Sequence, residues 1–480
     1  MERQADDVAA IVLAAGEGKR LRSALPKVLH RVAGKPLLAH ALAAVAPLGV
    51  AQTVVVVSNR RQEIAEALSG YAGDQELDLV VQDPPRGTGD AVRVGLSAVR
   101  GDVAKILVTL GDSPLLRTET LRTLLEGHRT SGAAATLLTA QGPPGNDAGR
   151  VIRTTTGEVQ AIVEVRDATP EELSVSEVNA GFYIFDAAKL RKMIERLEPT
   201  NAQGEYYLTD VIGLLRAEGE TVAAVPVRWD DTQGVNDRAQ LSEVAAVLRR
   251  RTAEMWLKEG VTIVDPATTF IDASVTIGHD AVIHPFTFLE GATVVGSGAE
   301  VGPQTRVVDS TIQAGANVTF AVVKGSDIGP NASVGPFASL RPGTKLAAGA
   351  KLGTFVESKN TFLDEGAKAN HLAYLGDAEI GRNSNIGAGT ITCNWDGRNK
   401  NKTIIEEDVY VSSDTMLVAP VRLGKGSATG AGAVVRDDVP DGALAVGMPA
   451  RIIEGKGGRL EHEDDPGEDG GKEEDHPDGG

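Results

Sequence analysis

The chain has 480 residues, 42% of them hydrophobic and only 4% aromatic, with a formal net charge of −18. That length leaves room for two or three domains, and that charge argues against a nucleic-acid binder, which needs cations against phosphates. The single cysteine, Cys393, excludes an internal disulfide framework and suits a reducing, cytoplasmic setting.

The opening MERQADDVAA lacks the basic-then-apolar plan of a signal peptide. No run reaches the roughly 18 uninterrupted apolar residues of a membrane helix, so no membrane insertion is expected. Residues 1–236 alternate apolar, strand-like runs with longer amphipathic stretches; Val54–Val57, Leu79–Val81, Ile106–Val108 and Val222–Val227 are such runs. Strands spaced by helix-length segments predict an α/β fold with a mainly parallel, doubly wound, Rossmann-like sheet. Residues 237–260, carrying Leu241, Val244, Leu248 and Trp256, read as a connecting helix.

From 261 to 455 the style changes. Ile271, Ile277, Ile283, Leu289, Val295, Val301 and Val307 recur every sixth residue. The pattern resumes at Ile328, Val334, Leu340, Leu346 and Leu352, and again at Ile405, Val411, Leu417 and Leu423. This is the hexapeptide repeat of a left-handed parallel β-helix, whose stacked coils bury one aliphatic per face and need few aromatics. The rhythm breaks over Glu357–Ala378 and over Thr392–Thr403, and such breaks predict loops leaving the prism, where binding happens. Residues 456–480 hold ten Asp or Glu against three Lys or Arg, with almost nothing to bury, and predict a disordered acidic tail.

Chemistry first shows at Ile11–Leu29, where the apolar run stops at Gly16 and Lys19, Arg20, Arg22 and Lys27 follow. It is no Walker loop, since Arg20 follows Lys19, and no full dinucleotide fingerprint, since position 21 is leucine. Glycines still let backbone N–H groups approach an anion, and Arg20 and Lys27 add charge suited to a triphosphate. Taken alone, the cluster also reads as a loop of solvated cations. Asp112 follows the apolar run KILVTLGD, at the strand end where open α/β sheets bind ligands. In the other half, His371 lies inside the first break; a neutral imidazole suits removal of a proton from an attacking amine. His279 and His284 read as ordinary coil residues.

The stretch LAAGEGKRLRSALPK, Leu13 to Lys27, resembles the signature of sugar-phosphate nucleotidyltransferases. Gln82 with Gly87-Thr88-Gly89, Gly111–Leu115, Gly149-Arg150-Val151, Ile162-Val163-Glu164, Val178–Gly181, Asn201–Asp210 and Gly234-Val235-Asn236 narrow it. Together with the β-helix they resemble one family, the bifunctional UDP-N-acetylglucosamine pyrophosphorylases and glucosamine-1-phosphate N-acetyltransferases. The resemblance runs from about residue 8 to 450.

It implies that Leu13, Ala14, Ala15, Gly16, Lys27, Gln82, Gly87 and Thr88 hold the uridine nucleotide, and that Gly149, Glu164, Asn179 and Asn236 hold the sugar. Asp112 and Asn236 would bind Mg²⁺, oxygen donors suited to a hard cation. Arg20, Lys27 and the metal would neutralise charge as pyrophosphate leaves. In the β-helix, the resemblance assigns Arg341, Lys359, Tyr374 and Asn385 to the amino-sugar phosphate. It assigns Ala388, Asn394, Trp395, Ser413 and Ala431 to acetyl-CoA, with His371 as base. Trp395 stands where relatives often carry tyrosine, and an indole offers an N–H in place of a hydroxyl. GALAVGMPAR follows the general ending of hexapeptide acyltransferases, without an alignable CoA-binding arginine. The implied chemistry is acetylation of glucosamine 1-phosphate by acetyl-CoA, then joining of N-acetylglucosamine 1-phosphate to UTP, in a homotrimer with acetyltransferase sites between subunits. Two other readings stand beside it: a single-activity nucleotidyltransferase with a regulatory β-helix, and a β-helix serving only as an oligomerisation scaffold.

Overall fold

A computed structural model describes residues 5–71 and 76–448. The acidic tail expected at 456–480 therefore lies outside the described residues. In the N-terminal half the main sheet runs in the order Val222–Val227, Ala135–Gln141, Glu177–Asp186, Lys105–Leu110, Val8–Ala14, Gln52–Val57, Leu77–Val81. Side chains alternate across it. Ala9, Ile11, Val54, Val56, Ile106 and Val108 face one core, and Val8, Ala10, Leu107 and Leu138 face another. Both faces are thus buried, as the continuous apolar runs require.

One strand departs from the parallel expectation. Glu177–Asp186 runs antiparallel to both of its neighbours. The reason lies in the excursion before it. The chain leaves Ala135–Gln141, makes the hairpin of Arg150–Arg153 with Val159–Val163, and pairs Val178 with Arg150 on the way back. A strand that re-enters from the end where its predecessor left can only run antiparallel.

The helix Arg238–Lys258 joins the halves. Its first turns place Leu241, Val244 and Leu248 against Val32, Leu37, Leu115 and Val235. Its last turns send Ala253 and Trp256 into the β-helix core. A second contact is made by the small hairpin of Arg31–Val32 with Lys35–Pro36. There Ala273 N donates to Ala33 O at 3.0 Å, and Gly34, at φ +77°, lies against Asp272 so closely that a Cβ would come within 2.5 Å of the carboxyl group.

The β-helix is a three-sided prism with faces of 11, 10 and 9 short strands, every neighbour parallel. Ile271, Leu289, Val307, Val323, Leu340, Ser358 and Leu375 stack directly above one another on one face. Each inward aliphatic contributes about 1.5–3 kcal/mol of burial. The sixfold count lapses after Val307 because the intervals to Ile312, Val318, Val323 and Ile328 shorten at some corners, while the coils continue.

The two expected breaks fare differently. Glu357–Ala378 does not leave the prism: Glu357–Lys359, Phe362–Leu363, Lys368–His371 and Tyr374–Gly376 are rungs in register. The pattern only looked broken because Ser358 and Ala369 take inward positions that aliphatics fill elsewhere, both fully buried. Thr392–Thr403 is a real excursion. Its strand ends at Cys393, Trp395 bridges Lys400, and the next rung starts at Thr403. Among the described residues, no helix is long and apolar enough to cross a membrane.

Candidate active sites

The N-terminal cleft lies where strands Val8–Ala14 and Lys105–Leu110 end, beside the hairpin excursion. It measures about 970 Å³, and its walls include Leu13, Arg20, Thr88, Asp112, Gly149, Glu164, Asn179 and Asn236. Ala14 and Ala15 are buried behind the wall, and Gly16 has open space where a Cβ would stand. Gly111 N donates to Leu13 O at 2.8 Å, which ties the end of the Lys105–Leu110 strand to the loop that begins at Leu13.

The cations do not act alike. Arg20 stays exposed, 3.7 Å from Asp147. Lys27 turns inward, where it pairs with Asp112 and donates to Asn236 Oδ1 at 2.8 Å. Gly18, at φ +64°, permits that approach, since a Cβ there would stand 2.6 Å from Lys27 Cβ. The helix that joins the halves holds Asn236 in place: Gln240 Oε1 accepts from Asn236 N at 2.7 Å.

Among the residues expected at the sugar, burial pushes the Glu164 carboxyl above its ordinary value, aided by Asp210, Asp167 and Asp147 and opposed by the Thr209 hydroxyl, which donates at 3.2 Å. Gly149 lets Glu164 come close; a Cβ would meet Oε2 at 3.3 Å. Asn179 N donates to Gly149 O at 2.8 Å, and Asn179 Nδ2 donates to the Tyr183 hydroxyl at 2.5 Å. Among the residues expected at the nucleotide, Gly87 takes φ +106° against the Tyr206 backbone, and Leu208 N donates to Thr88 Oγ1 at 3.0 Å. Gln82 is buried, with Nε2 donating to Gly87 O at 3.1 Å and to Asp90 Oδ2 at 2.8 Å. The sequence reading missed Asp90, a charged residue on a helix with nothing to mark it as buried.

In the β-helix, four candidates stack on one corner. Leu372 N donates to Thr354 O, Gly389 N to Leu372 O, Asp414 N to Ala388 O and Gly432 N to Ser413 O, so His371, Ala388, Ser413 and Ala431 follow one another rung by rung. His371 is exposed on this ladder. Arg341 and Lys359 sit one above the other at the next corner, with Tyr374 on the face between. Asn385 lies apart from them, over Lys368 on the preceding face. One chain therefore does not enclose the four amino-sugar candidates in a single pocket.

The excursion reaches back to this corner. Asn394 donates to Asp377 Oδ2 at 2.6 Å, and Asn360 donates to Oδ1 at 2.7 Å. Burial raises the Asp377 carboxyl, but these two donors with Lys400 and Lys359 outweigh it and leave it below the usual range. Lys400 also crowds Lys359 and pushes that ammonium below its ordinary value. Two ammonium groups facing each other suit an anion between them. Lys400 was not singled out in the sequence; its only signal was the cationic run RNKNK. Trp395 projects from the excursion, 57% exposed.

Comparison with known proteins now decides the family. The MobA-like NTP transferase domain matches residues 10–211. The bifunctional protein GlmU of Thermobifida fusca is 49% identical over 454 residues, 93% of each chain. That of Mycobacterium tuberculosis is 50% identical over 455 residues, 93% of this chain and 92% of its own. The chain belongs to the GlmU family. The match to GlmU proteins spans both halves, the sheet with its cleft and the prism with its ladder. A solved inositol-1-phosphate CTP transferase from T. maritima covers 50% of this chain and 94% of its own, at 20% identity and TM-score 0.40.

Proposed function

We infer that this chain is a bifunctional transferase that makes UDP-N-acetylglucosamine. The β-helix half acetylates glucosamine 1-phosphate with acetyl-CoA. The N-terminal half transfers UMP from UTP to N-acetylglucosamine 1-phosphate and releases pyrophosphate. The carrying observation is near-full-length similarity to proteins named bifunctional, together with a separate candidate site in each half. A regulatory or purely scaffolding β-helix is not favoured, since neither role needs the His371 ladder or the Asn394 excursion.

For uridylyl transfer, Gln82, Gly87 and Thr88 would take the nucleoside, and Glu164, Asn179 and Gly149 the sugar. The sugar phosphate is already an anionic nucleophile, so placement and charge neutralisation do most of the work. Asp112 and Asn236 would hold Mg²⁺. Their fit to a cation is supported by Lys27, whose ammonium both oxygens already contact. When bound, the metal would offset the charge building on the departing phosphates. Arg20, exposed at the rim beside Asp147, would meet the outer phosphates.

For acetyl transfer, His371 would take the proton from the attacking amine. Asn394, Trp395, Ala388, Ser413 and Ala431 would line the acetyl-CoA path. Arg341, Lys359, Tyr374 and Asn385 would hold the sugar phosphate. We propose a homotrimer with this site between subunits. An exposed apolar stripe supports it: Phe286, Phe337, Phe355 and Leu372 are 54%, 56%, 58% and 61% exposed. Each takes a positive φ at a corner, and Phe337 stacks 5.5 Å from Phe355. Leu372 continues the stripe directly beside His371, so a copy covering the stripe would reach the candidate base. A cytoplasmic location fits this chemistry, whose cosubstrates UTP and acetyl-CoA are cytoplasmic metabolites.

The deciding experiment incubates the protein with glucosamine 1-phosphate, acetyl-CoA, UTP and Mg²⁺ and looks for UDP-N-acetylglucosamine. Product from N-acetylglucosamine 1-phosphate alone, with none from glucosamine 1-phosphate, would leave only the nucleotidyltransferase.

A further inference from the structure

We propose that Asp90 sets the nucleobase preference of the uridylyl-transfer site by fixing which end of the Gln82 carboxamide faces the base. This rests on the reading that Gln82 holds the uridine. A glutamine amide has a donor end and an acceptor end of nearly equal shape, and a 180° flip exchanges them. A free glutamine can therefore serve either polarity. Gln82 is not free. Nε2 spends one hydrogen on Gly87 O at 3.1 Å and the other on Asp90 Oδ2 at 2.8 Å. Both acceptors lack hydrogens to give, so a flipped amide would set its oxygen against a carboxylate and a carbonyl. What Gln82 can offer a ligand is its carbonyl oxygen.

The carboxylate that enforces this is itself held. Asp90 is 2% exposed and Gln82 is 4% exposed. Asp90 pairs with Arg93, whose guanidinium lies 5.0 Å over the Tyr206 ring. Tyr206 in turn accepts from Gly89 N at 2.7 Å through its backbone oxygen. Asp90, Arg93 and the Tyr206 backbone thus brace the Gly87 turn from behind, where no substrate need reach.

The chemistry follows from the two pyrimidines. Uracil carries a hydrogen on N3, and cytosine carries a lone pair there. A fixed oxygen facing N3 accepts from uracil and repels cytosine. A buried polar group left unpaired, or paired against a like lone pair, discriminates more strongly than any difference in shape between the two bases. Asp90 would then be a positioning residue, acting through Gln82 and touching no substrate.

The test is the ratio of kcat/KM for UTP to that for CTP, measured with N-acetylglucosamine 1-phosphate in the full chain. Acetyl transfer by the same preparation, together with the melting temperature, controls for folding. Asp90→Asn supplies a donor that favours the flipped amide, and Asp90→Ala removes the carboxylate and leaves only Gly87 O to hold it. In both, the UTP to CTP ratio should fall about ten- to a hundredfold, most in Asp90→Asn. If UTP and CTP rates fall together and the ratio stays within about twofold, Asp90 is merely structural and the proposal is overturned. Gln82→Ala separates the premise: an unchanged ratio there would mean Gln82 does not face the base, whatever Asp90 does. Should a variant fold too poorly for kinetics, the shift in melting temperature on adding UTP or CTP gives the same comparison.

Discussion

Lys27 and Asp112 form an ion pair in which the ammonium also reaches Asn236 Oδ1 at 2.8 Å, so one lysine holds both oxygens assigned to the metal. Lys27 is only 10% exposed and Asp112 22%, so the pair is not weakened by full solvation. A divalent cation must displace this ammonium before it can bind. A triphosphate would make that easy, because it offers Lys27 another anion. Lys27→Met should therefore tighten Mn²⁺ binding in the absence of nucleotide by about tenfold, roughly 1.4 kcal/mol. Titration followed by electron paramagnetic resonance reads this directly. Binding that is unchanged or weaker would show that the lysine does not stand in the metal's place. The same variant should lose uridylyl transfer if Lys27 is the cation that meets the phosphates, as proposed.

Asp112→Ala should abolish uridylyl transfer and leave acetyl transfer nearly intact. Asp112 is fixed at the end of the Lys105–Leu110 strand, with Val235 N donating to its backbone oxygen at 3.0 Å. His371 belongs to a separate unit. Loss of a proposed metal ligand should slow the first reaction roughly a thousandfold or more. If both reactions fell together in a folded variant, the two-site model would fail.

Glu164 makes the fold pH-dependent. Burial raises its carboxyl above the ordinary 4.5, so the folded state binds its proton more tightly than the unfolded state. The sign follows: this carboxyl's contribution to stability is fully present below 4.5 and is lost as pH rises through the raised value, because ionising a desolvated carboxyl costs free energy. Glu164→Gln should remove that decline and raise the melting temperature at neutral pH. The same change should raise KM for N-acetylglucosamine 1-phosphate if Glu164 accepts from the sugar. Melting curves from pH 4 to 8 check the first part, and a flat difference between the two proteins would contradict it.

Much of this architecture could be read from the chain because the packing forces a period on it. A coil that buries one aliphatic per face must repeat every sixth residue, and Ile271 to Val307 do so without exception. Legibility failed where the inward residue is small. Ser358 and Ala369 fill core positions, and the regular coils around them looked like a loop. Strand direction was also hidden, since Glu177–Asp186 is as apolar as the two strands it pairs with, although it runs against both. Its direction is set by the hairpin that precedes it, not by its own composition. At the site, the loop glycines and cations were visible, but not which cation turns inward. Lys27 does so because Gly18 leaves it room. Asp90 gave no signal, because its nearby partners Gln82 and Arg93 do not mark a helix carboxylate as buried, and the run RNKNK did not show that Lys400 crowds Lys359, which is distant in sequence.

Assembly supplies the last prediction. Phe337 and Phe355 stack on an exposed corner, and Leu372 carries the stripe to the rung of His371. Exposed aromatics in such a row are a surface that a second copy can cover. The double variant Phe337→Asp with Phe355→Asp puts charge into that seam without touching the inward aliphatics. It should shift the sedimenting species from trimer toward monomer and cost most of the acetyl transfer, while uridylyl transfer persists in the separate cleft. Complementation then asks whether the site is shared. His371→Ala lacks the proposed base, and Asn394→Ala with Trp395→Ala lacks the excursion's contacts. If the two come from different chains at one site, mixing these inactive proteins under subunit exchange should restore part of the acetyl transfer, because some interfaces regain a full set of groups. Mixed trimers that recover nothing would place both in one chain. A monomer by sedimentation with full acetyl transfer would remove the need for any neighbour, and the stripe would require another partner.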